Sequence, residues 1–347
     1  MSSALDPFDV PLSFAATHGD GAKETLALRR AASGGELVRL HRGVYALASL
    51  VTDLDARGRH VLLCRAVAAG LGPRCVISHE SAGAVWALPR VRSLQDVVQV
   101  VDPHRETAQR STHLFRRPGT PSGSEVERVG ALAVTSLVRT ATDIALTGEF
   151  DDVVLCLDAV LRRLLLPDGH DDGAEVEKRL AGWRARLSNG LGSPGRRGGT
   201  AARRALAFAS PWAENGGESL LRLALHELGV GDVTLQRVLR LDGRDAGRVD
   251  TFLDEHETAV ELDGFVKLTD PAMLAGRSPA EVARGQNRRD HRLLGVPGVR
   301  RVVHCEYADV VHPERLAAHL RRAGVSLDPR RVSLAVRAAA RRFAARA

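Results

Sequence analysis

The chain has 347 residues, 44% of them hydrophobic and 26% charged, longer than one core usually serves, so two or three globular domains are expected. No apolar run reaches the roughly 18 residues that span a bilayer, and "MSSALDPFDVPLSF" has no basic stretch ahead of an apolar one, so no membrane partner is expected and the expected address is cytoplasmic. The formal charge of +7, with arginine far outnumbering lysine, suits a polyanionic partner because guanidinium matches phosphate in a bidentate way; a GC-rich genome would produce the same bias.

From the N-terminus, Pro11 to His18 is expected to form one short helix, and Gly19-Asp20-Gly21 a turn in which Asp20 caps the next. "AKETLALRRAASGG" then sets Leu26, Leu28 and Ala32 near one side and Lys23, Arg29 and Arg30 elsewhere, ending at Gly34-Gly35. In "ELVRLHRGVYAL", Val38 and Leu40 alternate with Arg39 and His41 before Gly43 turns the chain into Val44-Tyr45-Ala46, the signal of a hairpin. Two short helices and a basic hairpin have the layout of a winged helix-turn-helix, whose second helix enters the major groove while the wing touches backbone. On that reading Lys23, Arg29, Arg30, Arg39 and Arg42 bind DNA. A helix-hairpin unit used for packing or protein contact is the other reading.

Residues 60 to 165 read as a mixed α/β segment. "HVLLCRAVAAGLG" and "SHESAGAVWALP" are helical, "DVVQVVD" and "THLFRRP" are strands, and "TSLVRTATDIAL" and "DDVVLCLDAVLRRLLL" are amphipathic helices. His79 and Glu80 point apart as helix neighbours, which argues against an acid/base pair. Cys64, Cys75, Cys156 and Cys305 show no CxxC pairing, so neither a zinc site nor a disulfide framework is expected. "SNGLGSPGRRGGTAARR" reads as a linker and domain boundary. It is no phosphate-cradling loop, because no Lys-Ser/Thr closes it and no strand precedes it.

"NGGESLLRLALHELG" is a helix with Glu218 in its first turn, where a carboxylate suits the dipole. "VTLQRVLRL", "GRVDTFL" and "TAVELDGFV" read as three strands, "SPAEVARGQNRRDHRLLG" as a helix and "VRRVVHCEY" as a last strand, an α/β sandwich. Asp250 ends one strand; Glu261 and Asp263 share a face of its neighbour. If the strands pair through the "DEHE" turn, Asp250 and Glu261 come side by side, and such like charges repel unless a cation neutralises them. Hard oxygen ligands favour Mg²⁺ or Mn²⁺, which with Lys267 could activate water against a phosphate. The bland alternative is an edge strand whose acids face solvent. The last segment, "RRVSLAVRAAARRFAARA", is a basic helix with Arg330, Arg331, Arg337, Arg341, Arg342 and Arg346, fit to lie along nucleic acid or to be a solvated tail.

"RVDTFLDEHETAVELDGFVK", with Glu218 upstream and "RGQNRRDHRLLG" downstream, resembles the PD-(D/E)XK nuclease superfamily, in its very-short-patch-repair-like endonuclease branch. "GGELVRLHRGVYAL", "VISHESAGAVWALP" and "LAVTSLVRTATDIAL" resemble the N-terminal region of AbiEi-like antitoxins of abortive-infection, type IV toxin–antitoxin systems. Together the resemblances imply an α+β multidomain protein. Its segments would be a winged helix-turn-helix at 1–55, a mixed α/β domain at 56–187, a Gly/Arg-rich linker at 188–210, a nuclease-like domain at 211–325 and a basic helix at 326–347. They imply a catalytic set of Asp250, Glu261, Asp263, Lys267, Glu218 and Gln286, with Asp250 and Glu261 holding Mg²⁺ or Mn²⁺. The chain departs from the usual motif in having Asp263 where Lys stands, so activity would turn on Lys267. The implied function is a DNA-binding, metal-dependent DNA endonuclease, a hydrolase; the alternative is a non-catalytic transcriptional regulator or antitoxin with a cognate toxin as partner.

Overall fold

The computed structural model describes residues 5–15, 21–169, 173–193, 195–263 and 279–344. Among them, thirteen helices and three sheets form an α+β multidomain protein. The chain divides into two compact units. One comprises Met1–Pro89, Ser93–Cys156 and Ala181–Ala207, the other Arg90–Arg92, Leu157–Leu180 and Phe208–Ala347.

The first unit opens with β1 (Ser13–Phe14), α1 (Ala22–Ser33), β2 (Leu37–His41), β3 (Val44–Leu47), α2 (Ala48–Asp53) and α3 (Ala56–Ala68). β2 and β3 are the expected hairpin, turned at Gly43, whose φ of 73° suits a residue without Cβ. The helix expected over Pro11 to His18 is not found where the chain is described. Ser13 and Phe14 instead pair with Tyr45 and Val44, so the open edge of the hairpin recruits them as a third strand. Asp20 lies outside the described residues, and Gly21 stands at the N-cap of α1 with no side-chain cap. No residue of α1 is fully buried, and Leu26 is 47% exposed. Val10, Ala46, Leu54 and Leu62 form the small core under the hairpin.

Then follow β4 (Val76–Ile77), α4 (His79–Val85), β5 (Val98–Asp102), β6 (Gln109–Arg110), β7 (Leu114–Pro118), β8 (Val126–Val129), β9 (Leu132–Thr135), α5 (Leu137–Thr147), α6 (Phe150–Leu165), α7 (Gly173–Gly190) and α8 (Gly199–Phe208), of which α6 from Leu157 and α7 up to Leu180 belong to the second unit. The strands make a mixed sheet in the order β6-β7-β5-β4-β9-β8, larger than the two strands read from the sequence. Val98, Val100, Leu132 and Val134 meet Val61, Cys64 and Val67 of α3 in its core. The segment read as a linker is ordered differently. α7 reaches Gly190, and α8 buries Gly199, Ala202, Ala205 and Leu206. At Gly198 glycine serves close packing, since a Cβ there would stand 2.1 Å from the Leu146 carbonyl oxygen.

The second unit carries α9 (Gly216–Leu228), β10 (Val233–Leu241), β11 (Arg244–Leu253), β12 (Thr258–Asp263), α10 (Pro279–Leu294), β13 (Arg301–Glu306), α11 (Tyr307–Val311), α12 (Pro313–Arg322) and α13 (Pro329–Phe343). The sheet order is β10-β11-β12-β13, antiparallel except for β12 against β13. Leu239, Val249, Phe252 and Ala259 pack with Leu293 of α10 in its core. α9 is capped by Asn215, whose side chain accepts from the Gly217 and Glu218 amides, and it ends at Gly229 in the left-handed region. Buried Asp158 accepts two hydrogen bonds from Arg222 Nη2, at 3.0 and 2.8 Å, and one from the Ser210 amide at 2.8 Å. α13 is anchored by Ala335, Ala339 and Arg342, the last paired with Glu227, while Arg330, Arg331, Arg337 and Arg341 are exposed. Arg346 lies outside the described residues.

Candidate functional site

Two sites emerge, one in each unit. In the first, a concavity of about 940 Å³ lies among α1, β2, β3 and the end of α3. Arg29, Thr25 and Ser33 come to it from α1, Arg39 and His41 from β2, and Arg42 from the turn; no acidic residue lines it. Arg29, Arg39 and Arg42 are thus brought together as expected, whereas Lys23 and Arg30 are exposed on α1 away from its lining. A smaller concavity, about 360 Å³, shares Arg39, His41 and Arg42 and adds Thr112 and His113. The His41 and His113 rings meet edge to face at 6.4 Å. Burial, His113 and Arg39 hold His41 below its ordinary pKa, so the imidazole is neutral at pH 7 and the site's charge comes from arginine.

In the second unit, strand register builds a row across the whole sheet. Leu235 pairs with Thr251 and Arg237 with Val249, which sets Gln236 opposite Asp250. Thr251 pairs with Val260, and the same register carried one step on sets Asp250 opposite Glu261. Glu261 pairs in turn with His304 of β13. Gln236, Asp250, Glu261 and His304 therefore occupy one rung. Gln236 stands in the left-handed region, φ 52°, where a non-glycine residue is strained.

Each carboxylate has its own partners. Glu218, 4% exposed, accepts from the Glu214 amide at 2.7 Å, Asn215 Nδ2 at 2.7 Å and Gln236 Nε2 at 3.0 Å. Burial pushes it up to about 7, the Asp250 and Glu214 charges add to the rise, and the donated hydrogen bonds oppose it. Glu261, 5% exposed, is held by both Arg289 terminal nitrogens, each at 3.0 Å, and Arg289 Nη2 also donates to the Arg248 carbonyl at 2.7 Å. Burial and then Asp250 raise the Glu261 pKa, against Arg289 and His304. Asp263 lies 3.0 Å from His304 Nδ1 and accepts from Gln286 Nε2 at 3.2 Å, while Asp290 lies 2.9 Å from His304 Nε2. The bond to Asp263, then that to Asp290, outweighs burial and lifts His304 to about 9, so the imidazolium donates to both acids. Among the described residues Asp250 accepts from the Leu262 amide, at 3.3 Å, and forms no ion pair, although its charge is felt at Arg289.

The structure thus gathers Glu218, Asp250, Glu261, Asp263 and Gln286, all expected from the sequence; Lys267 lies outside the described residues. It adds Gln236, Arg289, Asp290 and His304. Helix periodicity carried a signal for two of these, since Gln286, Arg289, Asp290 and the core residue Leu293 recur at three- and four-residue spacing on one face of α10. Asp254, Glu255 and Glu257 belong, as read, to the turn between β11 and β12. Asp254 pairs with Arg237 and Glu257 with Arg300.

Whether these residues fit Mg²⁺ or Mn²⁺ turns on free oxygens. Both Glu261 oxygens are taken by a guanidinium, both Glu218 oxygens accept N–H groups, and Asp263 faces an imidazolium. Among the described residues no group of three or more His, Cys, Asp or Glu is arranged to hold a metal ion. The donor set as arranged does not fit a divalent cation. No helix among the described residues is long and apolar enough to cross a membrane.

Compared with known proteins, the chain matches no family model and no curated protein. Among solved structures it superposes on the RV2827C protein from Mycobacterium tuberculosis with a TM-score of 0.29 and 16% identity, over 55% of this chain and 71% of that one. A superposition at that level carries no argument about fold or function.

Proposed function

We propose that the chain is a DNA-binding protein whose N-terminal helix and hairpin hold the phosphate backbone, with the C-terminal, nuclease-like domain serving as a scaffold in a regulator. The observation that carries this is the acid-free groove in which Arg29 meets Arg39 and Arg42. Three guanidinium groups on two elements suit the spaced phosphates of a backbone, and the Thr25 and Ser33 hydroxyls supply neutral donors of the kind that fix register. The resemblance to AbiEi-like antitoxins agrees with this role and implies a cytoplasmic regulator with a cognate toxin as partner. Titrating the full chain into a labelled duplex tests it: binding that weakens steeply with salt supports the reading, and no binding at low salt overturns it.

A second reading, metal-dependent hydrolysis of DNA by the C-terminal domain, is favoured by Glu218 and Glu261, both raised by burial and by the neighbouring Asp250 charge, since perturbed acids cluster at catalytic sites. It needs Mg²⁺ or Mn²⁺ and, on the resemblance, Lys267 as the basic group. Incubating plasmid with the protein and either ion separates the two. Nicking that disappears in Asp250→Ala sinks the scaffold reading; intact plasmid beside salt-sensitive duplex binding sinks hydrolysis.

A further inference from the structure

We propose that Arg289 and His304 are the resident cations of the C-terminal acid row, which coheres without a divalent ion, and that removing the Arg289 guanidinium uncovers a divalent-cation site on Asp250 and Glu261. The inference concerns the sheet domain alone and stands whether or not the N-terminal groove binds DNA.

Two carboxylates opposite each other on adjacent strands repel, and burying one of them makes a counter-charge obligatory. Glu261 is 5% exposed, and the planar fork of Arg289 covers both its oxygens at 3.0 Å. A third bond, 2.7 Å to the Arg248 carbonyl, fixes the orientation of the guanidinium. The helix sets its position, because Leu293, one turn on, is fully buried against the sheet. A hard divalent ion would need those same oxygens at about 2.0–2.6 Å. Arginine and metal therefore exclude one another at Glu261. His304 does for Asp263 and Asp290 what Arg289 does for Glu261, through contacts of 3.0 and 2.9 Å. Asp250, with one oxygen on the Leu262 amide, forms no ion pair among the described residues, and beside a Glu261 stripped of its guanidinium it completes an anionic pair of hard oxygens.

The test uses the full chain as wild type, Arg289→Met, and Arg289→Met combined with Glu261→Gln. Mn²⁺ binding is read by electron paramagnetic resonance, and Tm is measured in Mg²⁺, Mn²⁺ and EDTA. Wild type is expected to leave the free Mn²⁺ signal unchanged and to melt at one temperature in all three. Arg289→Met is expected to take up Mn²⁺ and to gain roughly 5 °C at a metal concentration about 100 times the Kd, and the double variant to lose both effects. Stoichiometric Mn²⁺ uptake by wild type that Glu261→Gln abolishes overturns the proposal, as does a folded Arg289→Met that takes up none. Should Arg289→Met not fold in EDTA, refolding into Mn²⁺ decides: recovery upholds the proposal and its failure refutes it.

Discussion

Replacing Arg29, Arg39 and Arg42 together by alanine tests the proposed DNA-binding groove where its physics is quantitative. All three side chains are exposed, so the triple change should alter stability by no more than about 0.5 kcal/mol per site. If each guanidinium neutralises one phosphate, the slope of log Kobs against log salt becomes shallower by about 0.9 per arginine, or about 2.7 in all. Between about 50 and 200 mM salt those three contacts account for a roughly 40-fold loss of affinity in the wild type, which the variant should not show. The assay is fluorescence anisotropy on a labelled duplex at several salt concentrations, with Arg240→Ala as the control, because Arg240 is exposed on β10 and paired with Asp245. A triple variant that keeps the wild-type slope refutes the groove as a phosphate site, whatever its absolute affinity.

Three further outcomes follow from the geometry. Asp158→Ala strands the 8%-exposed Arg222 guanidinium and should cost about 3–5 kcal/mol in urea unfolding, whereas Asp158→Leu with Arg222→Met should cost less, about 1–3 kcal/mol, for the Ser210 amide and Phe208 carbonyl it leaves without partners. Gly198→Ala should destabilise by roughly 2 kcal/mol or more, since Gly198 has φ 81° and a Cβ there meets the Leu146 carbonyl; a flexible linker would tolerate the change. His304 has its folded pKa raised from 6.5 to about 9, so the stability it supplies is whole below 6.5 and drains away as pH rises through 9; unfolding of His304→Gln should show a flatter pH profile over that window.

Much of the C-terminal unit was legible because its signals are local. Asn215 before α9 and Gly229 after it punctuate that helix, and period-2 alternation with short turns marks β10 to β12. Less was legible where pairing is distant. Ser13 and Phe14 are extended because the edge of β3, thirty residues on, accepts them. Nothing within Pro11 to His18 announces that. The Gly-rich stretch before α8 has the composition of a flexible linker, yet at Gly198 glycine is required by close approach of backbone to backbone. Composition does not separate these two uses of glycine. Thr112 and His113 were missed at the N-terminal groove for a similar reason, since they reach Arg39 and Arg42 only through tertiary packing.

The acid row shows how such a gap steers chemistry. Read as a motif, Asp250, Glu261 and Asp263 present carboxylates with no cation in view, and a metal is the natural remedy. The missing cations come from α10 and β13, about 28 and 41 residues further on, and only the parallel register of β12 with β13 puts His304 beside Glu261. In the superfamily that this segment resembles, lysine usually stands where Asp263 does. Lysine there would face His304 as a like charge; aspartate there makes an imidazolium on β13 favourable, and Asp290 shares it from the other side. Asp263 and His304 are therefore one electrostatic choice, made across two strands. With aspartate at position 263 the positive charge beside it lies on β13, and Arg289 is the ion-pair partner of Glu261 among the described residues, with His304 a further positive charge nearby.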